Sequence, residues 1–263
     1  MLPALLHIGP VAIGWHNVFV SLGVLAATAM YFWEARRRGV LSEDVAVIAL
    51  GALMFGAVAA RLAASWRAAG AGAEAVSGAW AFGGMSILSG LTGAYAGAVV
   101  TKRWLGYRAR TGDLFAPAIA LGMAVGRWGC FLTEEPGTAT SLMWGIRLSA
   151  AAGARIPHCE GCVAGVAMHP SFLYEIAFHL TLFGLLLFLR SRLRSNGSDL
   201  LKLYLLAYAV FRFLVEYVRG NDIWYAGLTR SQAFLIPTTA LLAYYFVRRG
   251  RRYSAPAQAP EPA

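Results

Sequence analysis

Apolar residues gather into seven stretches along the chain, separated by charged and turn-forming positions. They run from Val11 to Trp33, Asp44 to Trp66, Phe82 to Val100, Asp113 to Leu132, Pro170 to Leu189, Leu200 to Val218 and Ser231 to Val247. Each is close to the roughly 20 residues that a helix needs to cross about 30 Å of hydrocarbon. The pattern predicts an all-α, polytopic membrane protein with about seven transmembrane helices. Residues 1–253 are expected to form one transmembrane domain, with its longest connection, around 133–169, outside the membrane. The Pro- and Ala-rich tail, 254–263, reads as disordered.

Composition agrees with the pattern. Hydrophobic residues make up 58% of the 263 positions and charged ones only 14%, more apolar than a soluble core requires. The net charge of +10 would suggest an anionic partner for a soluble protein, but its placement argues otherwise. Arg36–Arg38, then Lys102, Arg103, Arg108 and Arg110, then Arg190, Arg192, Arg194 and Lys202, then Arg248, Arg249, Arg251 and Arg252 form four clusters at the ends of apolar stretches. Alternate connections hold few basic residues. This is the bias of cytoplasmic loops, and it excludes nucleic-acid binding as the expected role. An odd number of spans then puts the N-terminus outside and the C-terminus in the cytoplasm. No basic residue precedes the first apolar run, so that run is expected to be retained rather than cleaved as a signal peptide.

Charges within the apolar stretches mark the candidate chemistry, because each is costly at membrane depth and needs a partner or a polar cavity. Arg127 closes the fourth stretch. Arg212, Glu216 and Arg219 follow spacings of four and three in the sixth, with Tyr208 one turn earlier, so one helix face carries plus, minus, plus. Glu216 cannot neutralise all these arginines, and the excess calls for a bound anion, most readily a lipid phosphate. Glu175 lies one turn before His179 in the fifth stretch, where the pair could be structural. Arg61 should turn inward, either as an ion-pair partner or as part of a headgroup site. Gly51, Gly56 and Ala59 suit close helix packing. Gly83 and Gly84 fit either such packing or irregular backbone lining a polar cavity. His16 sits near the outer end of the first stretch and His169 at a helix entrance before Pro170. His158, Cys159 and Cys162 share the long connection, where a disulfide is expected ahead of a metal site.

Five blocks carry a family resemblance. Gly126-Arg127-Trp128-Gly129-Cys130-Phe131 followed by Glu135, His169-Pro170-Ser171-Phe172-Leu173-Tyr174-Glu175, and Phe211-Arg212-Phe213-Leu214-Val215-Glu216-Tyr217-Val218-Arg219 resemble three motifs of the bacterial prolipoprotein diacylglyceryl transferases. Ile8-Gly9-Pro10 with Trp15, and Gly83-Gly84-Met85-Ser86, are similar to two more. The blocks stand in the family's order and cover nearly the whole chain.

The resemblance implies a multi-pass enzyme of the bacterial inner membrane. Such an enzyme moves the diacylglyceryl group of phosphatidylglycerol to the lipobox cysteine thiol of a preprolipoprotein and releases glycerol phosphate. Its implied partners are phosphatidylglycerol, the preprolipoprotein signal peptide and the bilayer, with no cofactor and no metal; a monomer is the expected state. By position, Arg127 corresponds to the family's phosphatidylglycerol-binding arginine, Glu135 to its following carboxylate, and Arg212 with Glu216 to its essential pair. His16 and His169 are further catalytic candidates, while Arg61, Arg219, Cys130, Gly83, Gly84, Ser86 and Glu175 are candidates to line the lipid site. The chain departs from the family's pattern at three polar positions: His16 replaces a tyrosine, Leu88 a histidine and Cys130 an asparagine. Anion binding is thus retained and proton handling altered, which leaves altered chemistry on another lipid or thiol, or lipid binding without catalysis, as alternatives.

Overall fold

The computed structural model describes residues 5–8, 11–68, 86–150, 164–192 and 198–254. Gly83, Gly84, His158, Cys159, Cys162 and the tail beyond Ser254 lie outside them. Among the described residues the order is β1 (Leu5–Ile8), β2 (Val11–Gly14), α1 (Trp15–Arg37), α2 (Glu43–Ala68), α3 (Ile87–Trp104), α4 (Gly112–Thr133), β3 (Ile146–Arg147), β4 (Ala167–Met168), α5 (Ser171–Leu189), α6 (Asp199–Arg219), β5 (Ile223–Tyr225), β6 (Leu228–Thr229) and α7 (Arg230–Ser254). The strands pair antiparallel as β1-β2, β3-β4 and β5-β6. Each apolar stretch overlaps a helix among the described residues. The first begins later than expected, at Trp15, because Val11 and Ile13 belong to a short hairpin, as β-branched residues favour.

Among the described residues, four helices are long and apolar enough to cross a membrane: α1, α2 over Glu43–Ala63, α4 and α5. Leu25, Leu50, Met54, Leu62, Leu180 and Phe188 are exposed on them, as side chains facing lipid would be. The chain is therefore a helical membrane protein. α6 has comparable length but carries Asp199, Lys202, Arg212, Glu216 and Arg219.

The structure divides into two compact units, one of Met1–Ala27 with Phe115–Ala263 and one of Thr28–Leu114. In the second, α2 and α3 pack backbone to backbone. A Cβ on Gly97 would come within 2.5 Å of the Gly51 carbonyl oxygen, and one on Gly93 within 2.6 Å of that of Phe55. Membrane helices gain little hydrophobic drive from one another, so close approach of this kind supplies the contact. Gly51, Gly56 and Ala59 lie on this seam, as their size predicts.

In the first unit, the early half of α1 runs against α4 at Gly23 and Gly122, where a Cβ on either would strike the other's carbonyl oxygen at 2.6–2.8 Å. Ala116 and Ala120 of α4, Leu182 and Leu186 of α5, and Leu200 and Tyr204 of α6 form one buried apolar cluster. Asp199 anchors the last helix, accepting from the Tyr245 hydroxyl at 2.7 Å and pairing with Arg249 at 2.5 Å.

Candidate active site

The site grows from the buried stripe of α6. Tyr204, Tyr208, Arg212 and Glu216 recur every fourth residue and are all buried, so the most polar side of this helix faces inward. That reverses the usual amphipathic arrangement, and it demands partners from other elements. Arg212 pairs with Glu216 on the same face. Glu216 also accepts from the Thr229 hydroxyl and the Asn221 amide, both at 2.8 Å. Asn221 can reach back because Gly220 ends α6 in the left-handed region, at φ 74°.

Glu175 of α5 is the second buried carboxylate. It accepts from Arg219 at 2.7 Å and forms an ion pair with Arg127 of α4, so three helices meet at one carboxyl group. The ring of Phe172 lies 4.6 Å from the Arg219 guanidinium carbon and 5.7 Å from that of Arg127, within range of a cation–π contact. The suggested Glu175–His179 pair takes a different form: the arginines engage the carboxylate, while His179 Nδ1 meets the Tyr204 hydroxyl at 3.3 Å. The arginine excess is also smaller than the sequence suggests, because Glu175 joins Glu216 as a counter-charge. Among the described residues, three guanidiniums against two carboxylates leave one positive charge in a buried setting. The Nε atoms of Arg127 and Arg219 are buried and have no hydrogen-bond partner among the described residues.

Next to Arg127 lies a second polar group. The Cys130 thiol, buried on α4, is 3.7 Å from Arg127 Nη1 and 3.7 Å from His16 Nδ1. His16 Nδ1 is in turn 3.0 Å from Glu134 Oε1. Gly129 makes the arrangement possible, since a Cβ there would stand 3.1 Å from both the Cα and the carbonyl oxygen of His16. Burial alone would raise the carboxyl pKa of Glu134, which lies just past α4, but the hydrogen bond and charge of His16 hold it down to about 2. Glu134 is therefore an anion.

The other candidates are spread more widely. Glu135 is exposed, and its neighbour Glu134 makes the contact with His16. His169 is half-buried and faces Tyr174, with Nδ1 3.2 Å from the hydroxyl, which also accepts from Trp144 Nε1 at 2.9 Å. The backbone beside His169 does shape the site: Gly137 donates to the His169 carbonyl at 2.7 Å and Thr138 to that of Val218 at 2.8 Å, tying the chain after α4 to the end of α6. Arg61 and Ser86 belong to the second unit, where Arg61 is half-buried on α2 and Ser86 caps α3 by accepting from the Ser89 backbone N–H at 3.5 Å. Sequence reading missed Glu134, Asn221 and Thr229. The spacing of Cys130 and Glu134, four apart at the end of a helix, was the available signal for the first. No local pattern points to the other two.

Comparison with known proteins gives a consistent result. The prolipoprotein diacylglyceryl transferase family profile matches residues 3–248. Several proteins named phosphatidylglycerol-prolipoprotein diacylglyceryl transferase are similar over almost their full length. That of Geobacillus kaustophilus is 32% identical, covering 95% of this chain and 93% of the relative. Those of Dehalococcoides mccartyi and Gloeobacter violaceus are each 31% identical, covering 95% and 97% of this chain and 94% and 96% of theirs.

Proposed function

The chain belongs to the prolipoprotein diacylglyceryl transferase family, and we propose from that membership and from the buried arginine cluster how it works. It is a transferase of lipoprotein maturation. It moves the diacylglyceryl group of phosphatidylglycerol to the lipobox cysteine thiol of a preprolipoprotein, and glycerol phosphate is released. The observation that carries the mechanism is the excess, among the described residues, of the buried guanidiniums of Arg127, Arg212 and Arg219 over the carboxylates of Glu175 and Glu216 that fix their directions.

A phosphodiester anion matches that excess. As the C–O bond breaks, negative charge grows on the departing phosphate, and guanidinium donors fixed in advance in a dry setting stabilise that growth most. Arg127 and Arg219 each keep a buried Nε with no partner among the described residues, which supports them as phosphate donors. Arg212 is the third cation, and Glu216 orients it. His16, beside Cys130, takes the proton-handling position that Leu88 cannot supply. Glu135 and His169 are assigned to the approach of the signal peptide, from their positions on the chain after α4 and before α5.

The charge distribution supports seven spans in a bacterial inner membrane, with the N-terminus and the 133–169 connection outside and the C-terminus in the cytoplasm. Residues 1–253 act as one transmembrane domain, and a monomer suffices for the reaction.

Purified protein incubated with phosphatidylglycerol and a lipobox peptide tests the reading. Release of glycerol phosphate is expected from the wild type and not from Arg127→Ala or Arg212→Ala. Binding of phosphatidylglycerol with no release would overturn transfer and favour a lipid-binding protein.

A further inference from the structure

We propose that His16, Cys130 and Glu134 form a binding site for a thiophilic divalent cation, such as Zn²⁺, whose open position takes the acceptor thiol as its thiolate. The inference deepens the transferase reading and rests on it for the identity of the thiol.

The donor atoms of the three residues all lie within 4.8 Å of one another. A tetrahedral ion with bonds of about 2.0–2.2 Å to nitrogen and oxygen and about 2.3 Å to sulfur holds its donors about 3.4–3.6 Å apart. Here His16 Nδ1 is 3.7 Å from Cys130 Sγ and 3.0 Å from Glu134 Oε1. The two pairs at His16 are thus within about half an ångström of the tetrahedral spacing, and the Cys130–Glu134 pair, no more than 4.8 Å apart, closes on the ion by rotation of the two side chains. One imidazole, one thiol and one carboxylate select a borderline-soft metal over Mg²⁺ or Ca²⁺. Three protein ligands leave a position open, as catalytic rather than structural zinc sites do.

Charge closes as well. One sulfur ligand bound as thiolate and one carboxylate balance the two charges of the ion, and the Arg127 guanidinium lies 3.7 Å from Cys130 Sγ. The same guanidinium pairs with Glu175 on the phosphate-binding side, so a thiolate on the metal stands beside the lipid phosphate. The departures at His16 and Cys130, far apart in sequence, meet in this one cluster. They supply a way to deprotonate the acceptor where Leu88 cannot. On coordination the acceptor S–H gives its proton to solvent, so His16 acts on that proton through the ion it holds rather than by accepting it. The sulfur lone pair then forms the S–C bond to the glyceride carbon that bears the phosphate, and the C–O bond breaks with its electrons leaving on glycerol phosphate.

The test uses full-length protein carrying Cys159→Ser and Cys162→Ser, so that Cys130 is its remaining cysteine among the three of the chain. After treatment with a chelator it is titrated with Co²⁺. The expected result is one equivalent bound, with a thiolate-to-cobalt charge-transfer band that grows on adding a lipobox cysteine peptide and not its serine counterpart. Cys130→Asn and Cys130→Ser should each lose the band, and His16→Ala should bind at least about 10-fold more weakly for want of one ligand. Thermal unfolding in detergent, compared with the parent protein, checks that these variants are folded. Absence of the band, or its persistence without Cys130, would overturn the site and leave a hydrogen-bonded triad. Full transfer by chelator-stripped enzyme would overturn the metal's role while the transferase reading stands. A cobalt band that responds to the peptide thiol with no glycerol phosphate released would sink the transferase reading and leave the site.

Discussion

Two buried carboxylates, Glu34 and Glu175, each meet two arginines, yet they do different things. Glu34 on α1 pairs with Arg37 and Arg38, three and four residues on, at 2.6–2.9 Å. Those arginine side chains remain 38% and 26% exposed, so each keeps much of its hydration while its stem covers the helix end. Glu175 draws Arg127 from α4 and Arg219 from α6, and these are only 6% and 14% exposed. The first trio belongs to a single turn of helix and can form as soon as that helix does. The second exists only when three helices assemble, and the guanidiniums give up water to reach it. The contrast teaches that the count of charges says little. What separates a helix-end pair from a phosphate site is how far apart in sequence the partners lie and how dry they are.

The contrast can be broken most directly at Glu175. Glu175→Ala leaves Arg127 and Arg219 buried without their carboxylate, and should cost about 3–5 kcal/mol of stability. Release of glycerol phosphate should vanish with it. Thermal unfolding in detergent beside the transfer assay reads both, and a stable, active Glu175→Ala protein would remove the carboxylate from the site.

A smaller effect is expected at Gly129→Ala, which alters no charge. The added methyl would press on the His16 backbone at 3.1 Å and on Phe19 at 3.0 Å, costing about 1–3 kcal/mol as overpacking. Shifting His16 away from Cys130 should slow transfer about 10–100-fold, as misplacement on the scale of an ångström does. Unchanged kinetics would mean that the approach of α1 to α4 is only structural.

The smallest change is expected at Arg37→Ala. Arg37 is 38% exposed and Glu34 keeps its pairing with Arg38, so the loss should stay at or below about 1 kcal/mol, the upper end for helix-surface pairs, with transfer near the wild-type value. A loss above about 2 kcal/mol, well beyond that range, would show that the Glu34 trio resembles the Glu175 trio more than its exposure suggests.

Much of this was readable along the chain. The apolar stretches located each described helix, and the plus, minus, plus face of Arg212, Glu216 and Arg219 identified the helix that carries the site. Both follow from periodicity, since a helix places residues three and four apart on one side wherever it is packed. The carboxylate partners were harder. Glu175 was visible as a membrane-depth acid, but its natural local mate was His179, and only the approach of α4 and α6 redirected it to Arg127 and Arg219. Glu134 was hidden behind Glu135, because helix phase at the frayed end of α4 decides which of two adjacent acids turns inward.

The amino-acid order by itself determined where helices form, which of them are apolar enough for a membrane and which carry buried charge, because these depend on neighbours within a few residues. It did not determine which charges meet. That was decided by packing: glycines at 23, 122 and 129 let α1 and α4 come close enough to join His16 to Cys130, and three helices converge to close Glu175 between two arginines. A pairing between residues separated by more than forty positions leaves no periodic trace, and its strength comes from the exclusion of water, which exists only once the chain has folded.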